Sequence, residues 1–139
     1  MKYLTAGQVL FIHARLVAET GGSHGLRDLA RLESALARPQ AVFAGKELYP
    51  DIFLKAAALL DSLVNNHPFV DGNKRTGISA AALFLRFNGW RLTVGNAELV
   101  EFTLQVATTH PELPILAGWL RTHSTGEAEI RSTKQRRKD

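Results

Sequence analysis

Two apolar, alanine-rich segments, residues 53–64 and 78–87, enclose one strongly polar stretch in the middle of the chain. Both segments have the apolar side chains of a buried helix, and the second is apolar almost all the way round. We therefore expect two packed helices with a polar loop between them, and we expect the second to be the central, most buried helix. A polar loop held between two core elements is costly, which indicates that this loop carries the function.

The rest of the chain has the signals of further helices, namely cap residues followed by apolar side chains at helical spacing. The predicted helices run from the cap Thr5 to about residue 19, from the cap Asp28 to Pro39, from the cap Asp51 to residue 66, from about residue 73 to residue 88, from the cap Asn96 to about residue 109, and from residues 111–114 through residue 120. The predicted fold class is all-α, a bundle of about six helices around a buried central helix.

Three segments interrupt this helical pattern. Residues 21–26 are predicted to form a loop, and residues 90–94 a short extended segment. Residues 40–50 contain two short β-tolerant segments on either side of Gly45 and Lys46. They predict a small β-hairpin or, equally, an irregular connection between two helices.

Length and composition set the class of protein. The 139 residues are 45% hydrophobic, which suffices for one domain with its own core. We place this domain at residues 1–123, followed by a basic, disordered tail at residues 124–139. The sequence has no cysteine, which excludes disulfides and thiolate metal sites. Because it also has no membrane-spanning run and no signal-peptide pattern, we expect a cytoplasmic protein.

The positive charge is divided between the tail and the domain. Half of the net charge of +4 falls on residues 127–139, and the other half is spread over the preceding 126 residues. A nucleic-acid-binding face needs its cations clustered on the folded surface. The distribution therefore argues against direct binding of nucleic acid.

The polar loop has the properties of an anion site. Pro68 ends the preceding helix at about residue 66, and Gly72 allows a tight turn into the next helix. The unpaired backbone N–H groups of that helix start would point into the loop, where Lys74 and Arg75 add two charges. Cations at the positive end of a helix dipole are unfavourable by a few tenths to about 1 kcal/mol each. Two of them make sense if a polyvalent anion such as a polyphosphate binds there.

Asp71 and His67 are the candidates for chemistry at this site. Beside phosphates, the Asp71 carboxylate suits Mg²⁺, which prefers one or two carboxylates together with phosphate oxygens. Capping the helix or pairing with Arg75 is the simpler role. An imidazole such as that of His67 can accept a proton from a hydroxyl near neutral pH, although a histidine after a helix is more often a structural hydrogen-bonding group. Phe69 would anchor the loop in the core.

These residues resemble the motif of a known family. The pattern His67-x-Phe69-x-Asp71-Gly72-Asn73-Lys74-Arg75 resembles that of the Fic/Doc family, and its lysine is typical of the Doc ("death on curing") branch. Residues 26–28, 32–40 and 84–89 are also similar to Doc-type proteins, so the resemblance covers about residues 1–123.

The resemblance implies a role for each motif residue. These roles are a general base for a Ser, Thr or Tyr hydroxyl of a target protein at His67, a Mg²⁺ ligand at Asp71, an anion hole at Gly72 and Asn73, and contacts to nucleotide phosphates at Lys74 and Arg75. Residues 40–50 would form a flap that aligns the target beside the site.

Two departures from the wider Fic form bear on the reaction. Fic adenylyltransferases carry Gly at the position of Lys74 and a second Arg at the position of Ile78. In the Doc branch, the lysine goes with a reversed ATP that presents its γ-phosphate. The resemblance thus implies a Mg²⁺- and ATP-dependent protein kinase acting on a translation factor, elongation factor Tu. Transfer of AMP or another nucleotidyl group, and a non-catalytic nucleotide-binding module, are the alternative functions.

Regulation of such a site can come from the same chain or from a partner. Many Fic proteins carry an inhibitory helix of the pattern [S/T]-x-x-x-E-[G/N]. The nearest match here joins Thr125 to Glu129, and Ile130 breaks its last position, so we do not expect an internal inhibitor. The Doc resemblance implies instead a toxin held by an antitoxin, whose C-terminal segment folds into a groove near the site.

Overall fold

A computed structural model describes residues 1–128, 130 and 132 of the chain. Within residues 1–126 it has six α-helices: α1 (Ala6–Thr20), α2 (Leu29–Ala37), α3 (Ile52–Asn65), α4 (Asn73–Phe87), α5 (Asn96–Thr109) and α6 (Leu113–Thr122). One 3₁₀ turn, Arg38–Gln40, follows α2. The short strands are β1 (Val42–Phe43), β2 (Lys46–Glu47), β3 (Trp90–Leu92) and β4 (Ser124–Gly126). The mostly α bundle is the fold class that the sequence predicts.

The described helices are all too short or too polar to cross a membrane.

Three of the predicted helix caps are confirmed. The Thr5 hydroxyl accepts a hydrogen bond from the backbone of Gln8, whose side chain returns one to the Thr5 backbone. Asp28 accepts from the backbone of Arg31, and Asp51 accepts from two N–H groups of the first turn of α3. The predicted cap Asn96 is wrong. Gly95 is the last residue in extended conformation and is therefore the cap, so Asn96 is already the first residue of α5.

The central helix of the bundle is α3, and the expectation that α4 would be the most buried helix is wrong. Ten of the 14 residues of α3 are buried, against eight of the 15 of α4. The reason is that α3 contacts α2, α4, α5, α6 and the 3₁₀ turn, whereas α4 leaves Phe87 exposed and Leu83 half-buried. The sequence pattern underestimated the burial of α3 because this helix contains Lys55, which is nevertheless buried.

The two central helices approach each other closely at Gly77. A Cβ atom at this position would lie 2.8 Å from Cγ2 of Val64 on α3, which is closer than side chains can pack. Glycine therefore lets α4 lie directly on the last two turns of α3. This contact determines how far apart the ends of the intervening loop are.

Residues 42–47 form a β-hairpin, which is one of the two structures that the sequence allowed for this segment; the other was an irregular connection. β1 pairs antiparallel with β2, with Val42 opposite Glu47 and Phe43 opposite Lys46. Ala44 and Gly45 both have positive φ, +52° and +78°, as a two-residue turn of the I′ type requires. The second strand thus begins at Lys46, one residue before the predicted β-tolerant segment.

A second small sheet corrects part of the predicted tail. Ser124–Gly126 forms β4 and pairs antiparallel with β3, although we expected disorder from Ser124 onward. The sequence did not reveal this strand because its residues are small and polar and because backbone hydrogen bonds hold it to a distant segment. β3 itself confirms the extended segment expected near residues 90–94. Of the tail, residues 129, 131 and 133–139 lie outside the described residues, and with them the Thr125–Glu129 pattern.

Candidate active site

The loop between α3 and α4 leaves the helical conformation at His67. Asn66 is the C-cap of α3, and His67 follows with a φ of +50° before Pro68. The proline disfavours the right-handed helical region for the residue before it, and histidine is among the residues that tolerate the left-handed region. The helix therefore ends where the sequence predicts, and the His67 side chain is exposed.

The backbone of this loop is paired with the segment before α2. The N–H groups of Arg27 and Asp28 donate to the Pro68 carbonyl at 2.8 and 3.0 Å, and the Val70 N–H donates to the Gly25 carbonyl at 3.1 Å. Leu26 and Phe69 form an isolated β-bridge. The predicted loop at residues 21–26 is thus one wall of the site, a role that we did not assign to it. Its three glycines, at positions 21, 22 and 25, are the signal that could have revealed it.

Asn73 braces the loop from inside. Its side-chain oxygen accepts a hydrogen bond from the Phe69 N–H at 2.9 Å, and its amide nitrogen donates to the Phe69 carbonyl at 3.0 Å. Both groups are buried. The side chain of Asn73 therefore positions the loop, and an anion can use only its backbone N–H, which lies in the unpaired first turn of α4.

His13 of α1 is a second internal brace, and sequence reasoning did not assign it to the site. It is buried, its Nε2 donates to the Asp71 carbonyl at 2.8 Å, and its ring stacks on Phe69 with 3.9 Å between the centroids. A Cβ atom at Gly72 would come within 3.6 Å of the imidazole. A polar residue on the apolar face of α1 was the signal that could have found it.

Gly72 makes the turn into α4. It is the N-cap of the helix and has a φ of +77°, in the left-handed region that glycine adopts without strain. The first intrahelical hydrogen bond joins the Thr76 N–H to the Gly72 carbonyl. The N–H groups of residues 73–75 therefore have no acceptor within the helix, as an anion site at a helix N-terminus requires.

The Asp71 carboxylate is exposed and is oriented by the backbone. It accepts hydrogen bonds from the N–H of Ser23 at 3.1 Å and from the N–H of Gly72 at 2.9 Å. These bonds, first that from Ser23, together with the nearby charge of Arg75, lower the pKa of Asp71 below its usual value. The carboxylate is thus ionised at neutral pH, in the form that binds a cation.

The simpler roles considered for Asp71 do not account for its position. Gly72, not Asp71, is the N-cap of α4, and the cap makes no side-chain hydrogen bond. No ion pair joins Asp71 to Arg75 within the described part of the chain, where Arg75 instead donates to the Thr20 hydroxyl. Gly22 lies directly against the carboxylate, since a Cβ atom there would be 2.6 Å from Asp71 Oδ2.

All six residues singled out from the sequence line one cleft of about 310 Å³. The lining residues are His67, Val70, Asp71, Gly72, Asn73, Lys74 and Arg75. Lys74 and Arg75 are exposed at its edge. Among residues 1–128, 130 and 132, no three His, Cys, Asp or Glu side chains gather into a metal site. A cation at Asp71 would therefore take its other ligands from phosphate oxygens and water, a coordination that fits Mg²⁺.

Comparison with known proteins identifies the family to which the chain belongs. The model of the Fic/DOC family matches residues 3–85, which is more than half of the chain and includes the whole loop. The chain belongs to the Fic/DOC family. In this Fic/DOC protein, the motif residues to which the sequence assigned a chemical role, His67 and residues 71–75, also line the cleft.

Two relatives support the same assignment. Toxin Doc from Mycolicibacterium smegmatis is 43% identical over 121 residues, which cover 84% of this chain and 85% of that protein. Protein kinase doc from Escherichia phage P1 is 32% identical over 121 residues, which cover 87% of this chain and 94% of that protein. Both alignments extend well beyond the span of the Fic/DOC model.

Proposed function

We propose that this protein is a Doc-type toxin that transfers the γ-phosphate of ATP to a serine or threonine hydroxyl of a target protein. The observation that carries the proposal is the convergence of an exposed imidazole, an ionised carboxylate, unpaired helix N–H groups and two cations on one cleft of about 310 Å³. The names of the two relatives, a toxin and a protein kinase, support the same function.

The phosphates of ATP would lie at the start of α4. The unpaired N–H groups of the first turn and the charges of Lys74 and Arg75 attract them, which removes the unfavourable placement of two cations at the positive end of a helix. Phosphoryl transfer depends mainly on positioning and on neutralisation of charge. A loop braced by Asn73 and His13 supplies the fixed geometry that this requires.

Asp71 would hold Mg²⁺ together with phosphate oxygens and water. Its carboxylate is exposed, and its lowered pKa keeps it ionised. The ion would neutralise charge on the phosphates during transfer. The two backbone hydrogen bonds to Asp71 leave lone pairs on both carboxylate oxygens, so the cation does not have to displace them.

His67 would take the proton of the target hydroxyl. Its side chain is exposed at the edge of the cleft that Asp71 and Lys74 also line. A positioned general base contributes about 10² to 10⁴ in rate. The left-handed conformation of His67 turns the chain away from α3 at this residue.

The target would dock beside the flap formed by β1 and β2. Val42 and Phe43 are neighbours in β1 and are 61% and 73% exposed, so they offer a small apolar surface that suits contact with a protein. Following the Doc resemblance, we propose a component of translation, elongation factor Tu, as the target. We also propose an antitoxin whose C-terminal segment occupies a groove near the site, and a cytoplasmic location for the pair.

The position of the label in ATP tests the reaction. Purified protein is incubated with Mg²⁺, elongation factor Tu and ATP labelled at either the α- or the γ-phosphate. We expect label on the target only from the γ position. Transfer of α-label would mean nucleotidyl transfer, and binding of ATP without any transfer would mean a non-catalytic module.

The His67→Ala variant tests the assignment of the base. We expect the transfer rate to fall by about 10² to 10⁴ while ATP binding is retained. Because His67 is exposed, its loss should not unfold the protein, and the matched control is His110→Ala, an exposed histidine that also has a positive φ, +46°, and also precedes a proline. Full activity of His67→Ala would reduce His67 to a structural residue.

A further inference from the structure

A second concave surface lies between the end of α2 and the end of α3, at the base of the β1–β2 hairpin. This hairpin-base pocket encloses about 560 Å³ and is lined by small and polar residues, namely Ser34, Ala37, Arg38, Ala41, Ser62 and Asn66. Ser34 and Ala37 are exposed on α2. Their small side chains leave the pocket open on the side of that helix.

The pocket lies between the two structures that the proposed function assigns to the target protein. Ala41 directly precedes β1 of the hairpin, and Asn66 directly precedes His67, the proposed base. Because consecutive Cα atoms are about 3.8 Å apart, the Asn66 wall of the pocket is next to His67. An extended chain advances about 3.3 Å per residue. A target that lies along the hairpin and brings a hydroxyl to His67 therefore places the next one or two residues at this pocket.

Arg38 gives the pocket a fixed hydrogen-bond donor. Its Nε donates to the Tyr49 hydroxyl at 3.3 Å, and its Nη1 donates to Asp61 at 2.7 Å and to Ser62 at 2.9 Å. Tyr49 follows β2, whereas Asp61 and Ser62 belong to α3, so the guanidinium is held from two sides. In the part of the chain that the structure describes, its Nη2 makes no hydrogen bond, which leaves two N–H groups for a ligand.

The ion pair of Arg38 determines the kind of ligand that these N–H groups suit. Arg38 and Asp61 are 2.7 Å apart, and their side chains are 32% and 25% exposed. Since their charges largely cancel, the pair attracts a polyanion only weakly. A single carbonyl or carboxylate oxygen can still accept from the free N–H groups without displacing Asp61. The small walls of the pocket leave room for the polypeptide that carries such an oxygen.

We propose that the hairpin-base pocket is the subsite for the target segment next to the acceptor hydroxyl, and that Arg38 donates from Nη2 to an oxygen of that segment. The inference rests on the proposed function, because it concerns the protein substrate of that reaction. The oxygen belongs to a main-chain carbonyl or to the side chain of Asp, Glu, Asn or Gln. A target bound at both the pocket and the hairpin has its hydroxyl oriented toward His67 from two sides.

Filling the pocket from α2 tests the subsite without altering Arg38. Ser34→Leu places a larger side chain in the pocket, and Ala37→Leu does so from a second exposed position, so a loss of stability in one variant leaves the other. The matched control is Glu33→Leu, which places the same side chain at an exposed residue of the same helix that does not line the pocket. Urea denaturation checks the stability of all three variants.

Steady-state kinetics separates the subsite from the phosphate site. Elongation factor Tu, the target proposed above, and ATP are varied in turn to give the two KM values. We expect Ser34→Leu and Ala37→Leu to raise KM for the target about tenfold, because a hydrogen bond to a charged donor is lost. KM for ATP should stay the same, and Glu33→Leu should change neither value.

Peptide substrates identify the oxygen that Arg38 binds. Serine peptides of otherwise identical sequence carry Asp, Asn or Ala at the first and second positions on either side of the acceptor. If a side-chain oxygen binds, the wild type should prefer the Asp or Asn peptide about tenfold in kcat/KM, and Ser34→Leu should lose that preference. If a main-chain carbonyl binds, there should be no preference, and Ser34→Leu should raise KM for every peptide. Either result supports the proposal.

Three results would overturn the proposal. The first is an unchanged KM for the target in both pocket variants. The second is an equal rise in Glu33→Leu, because the effect would then come from α2 and not from the pocket. The third is phosphorylation of the intact factor but of no peptide, since the pocket would then not bind a segment by itself. If the wild type transferred no phosphate to either substrate, the proposed function would fail, which is distinct from a loss confined to the pocket variants.

Discussion

The two sides of the proposed active site are held in place by different means. On one side, the motif loop at residues 66–72 is paired along its backbone with residues 25–28 and braced by the buried side chains of Asn73 and His13. On the other side, the hairpin that we propose as the flap has two strands of two residues each. One buried lysine, Lys55, ties the flap to the core through Glu47 and the Pro39 carbonyl.

This difference matches what each side would contact. Phosphates and a metal ion have fixed shapes, and a preorganised loop stabilises their charge without reorganising during the reaction. A protein target presents a variable chain. A hairpin of this size is marginal in isolation, and only a few contacts hold the flap, so it can adjust to that chain. The phosphate side should therefore lose stability when it is altered, and the flap side should lose affinity for the target.

The largest effect is expected from Asn73→Ala. The change leaves the buried N–H and carbonyl of Phe69 without partners, at about 1–3 kcal/mol each, so the free energy of unfolding should fall by about 2–5 kcal/mol. Urea denaturation measures it. Asn96→Ala is the matched control, because Asn96 is exposed and makes no cap hydrogen bond. A loss as small as that of the control would mean that the loop does not depend on Asn73.

A smaller effect is expected from Gly22→Ala. Gly22 has a φ of +108° and no room for a Cβ atom, which would stand 2.6 Å from the Asp71 carboxylate. We expect a loss of about 2–3 kcal/mol in unfolding free energy and weaker Mg²⁺-dependent binding of ATP, because Asp71 has to move.

Gly21→Ala separates the effect of backbone strain at a positive φ from the effect of the clash with Asp71. Gly21 also has a positive φ, +84°, but nothing lies within 4 Å of its Cβ position. The unfolding free energy of this variant should therefore fall only by the cost of backbone strain, about 1–2 kcal/mol, and its ATP binding should be unchanged. Equal ATP affinities for the two variants would show that Asp71 does not depend on its contact with Gly22.

The same two sides show what the sequence could and could not predict. The grouping of the motif residues at one site was predictable because they are adjacent in the chain. The start of a helix also fixes the direction in which their N–H groups point. His13, Ser23 and Gly22 lie about 50 residues away from Asp71, and only tertiary packing brings them to it. No periodicity or capping rule contains that information.

Helix positions were predictable to within a few residues, but burial was not. The alanine-rich α4 appeared more buried than α3 because Lys55 and Ser62 interrupt the apolar pattern of α3. Lys55 is buried because Glu47 and the Pro39 carbonyl satisfy its ammonium group. Those partners are not apparent from the local sequence. β4 was missed for a similar reason, because its pairing with β3 depends on residues more than 30 positions away.

On the flap side, Lys55→Met should change binding more than stability. The Lys55 side chain is 2% exposed, whereas that of its partner Glu47 is 51% exposed and can be solvated when the lysine is lost. The buried Pro39 carbonyl loses its donor in this variant, so we expect the unfolding free energy to fall by about 1 kcal/mol, which is less than for Asn73→Ala.

The functional effect of this variant falls on the protein target. With the flap released, KM for the target should rise by about tenfold, while KM for ATP stays the same. Steady-state kinetics with each substrate varied in turn measures this split. The milder Glu47→Gln keeps an acceptor oxygen for Lys55 and should lie between the variant and the wild type. A rise in KM for ATP instead would mean that Lys55 supports the phosphate side, and the comparison of the two sides would fail.

The smallest effect concerns the pH dependence of stability at Asp71. The pKa of this carboxyl is lowered, first by the Ser23 N–H, then by the Gly72 N–H and the charge of Arg75. A carboxylate with a lowered pKa in the folded state stabilises the fold at pH values above its unfolded pKa of about 3.9. That contribution is lost as the pH falls through the lower, folded value. Stability from Asp71 should therefore be present at pH 7 and disappear below about pH 4.

Asp71→Asn should remove this dependence. The unfolding free energy of the variant, measured by urea denaturation between pH 2 and 7, should fall less steeply in the acid range than that of the wild type. The difference should be small, because the carboxylate is exposed and screened by water. Glu101→Gln, an exposed carboxyl on α5, is the control and should leave the acid slope unchanged. Parallel curves for Asp71→Asn and the wild type would mean that the hydrogen bonds from Ser23 and Gly72 do not favour the ionised form, and that the carboxylate is less firmly preorganised than the rest of its loop.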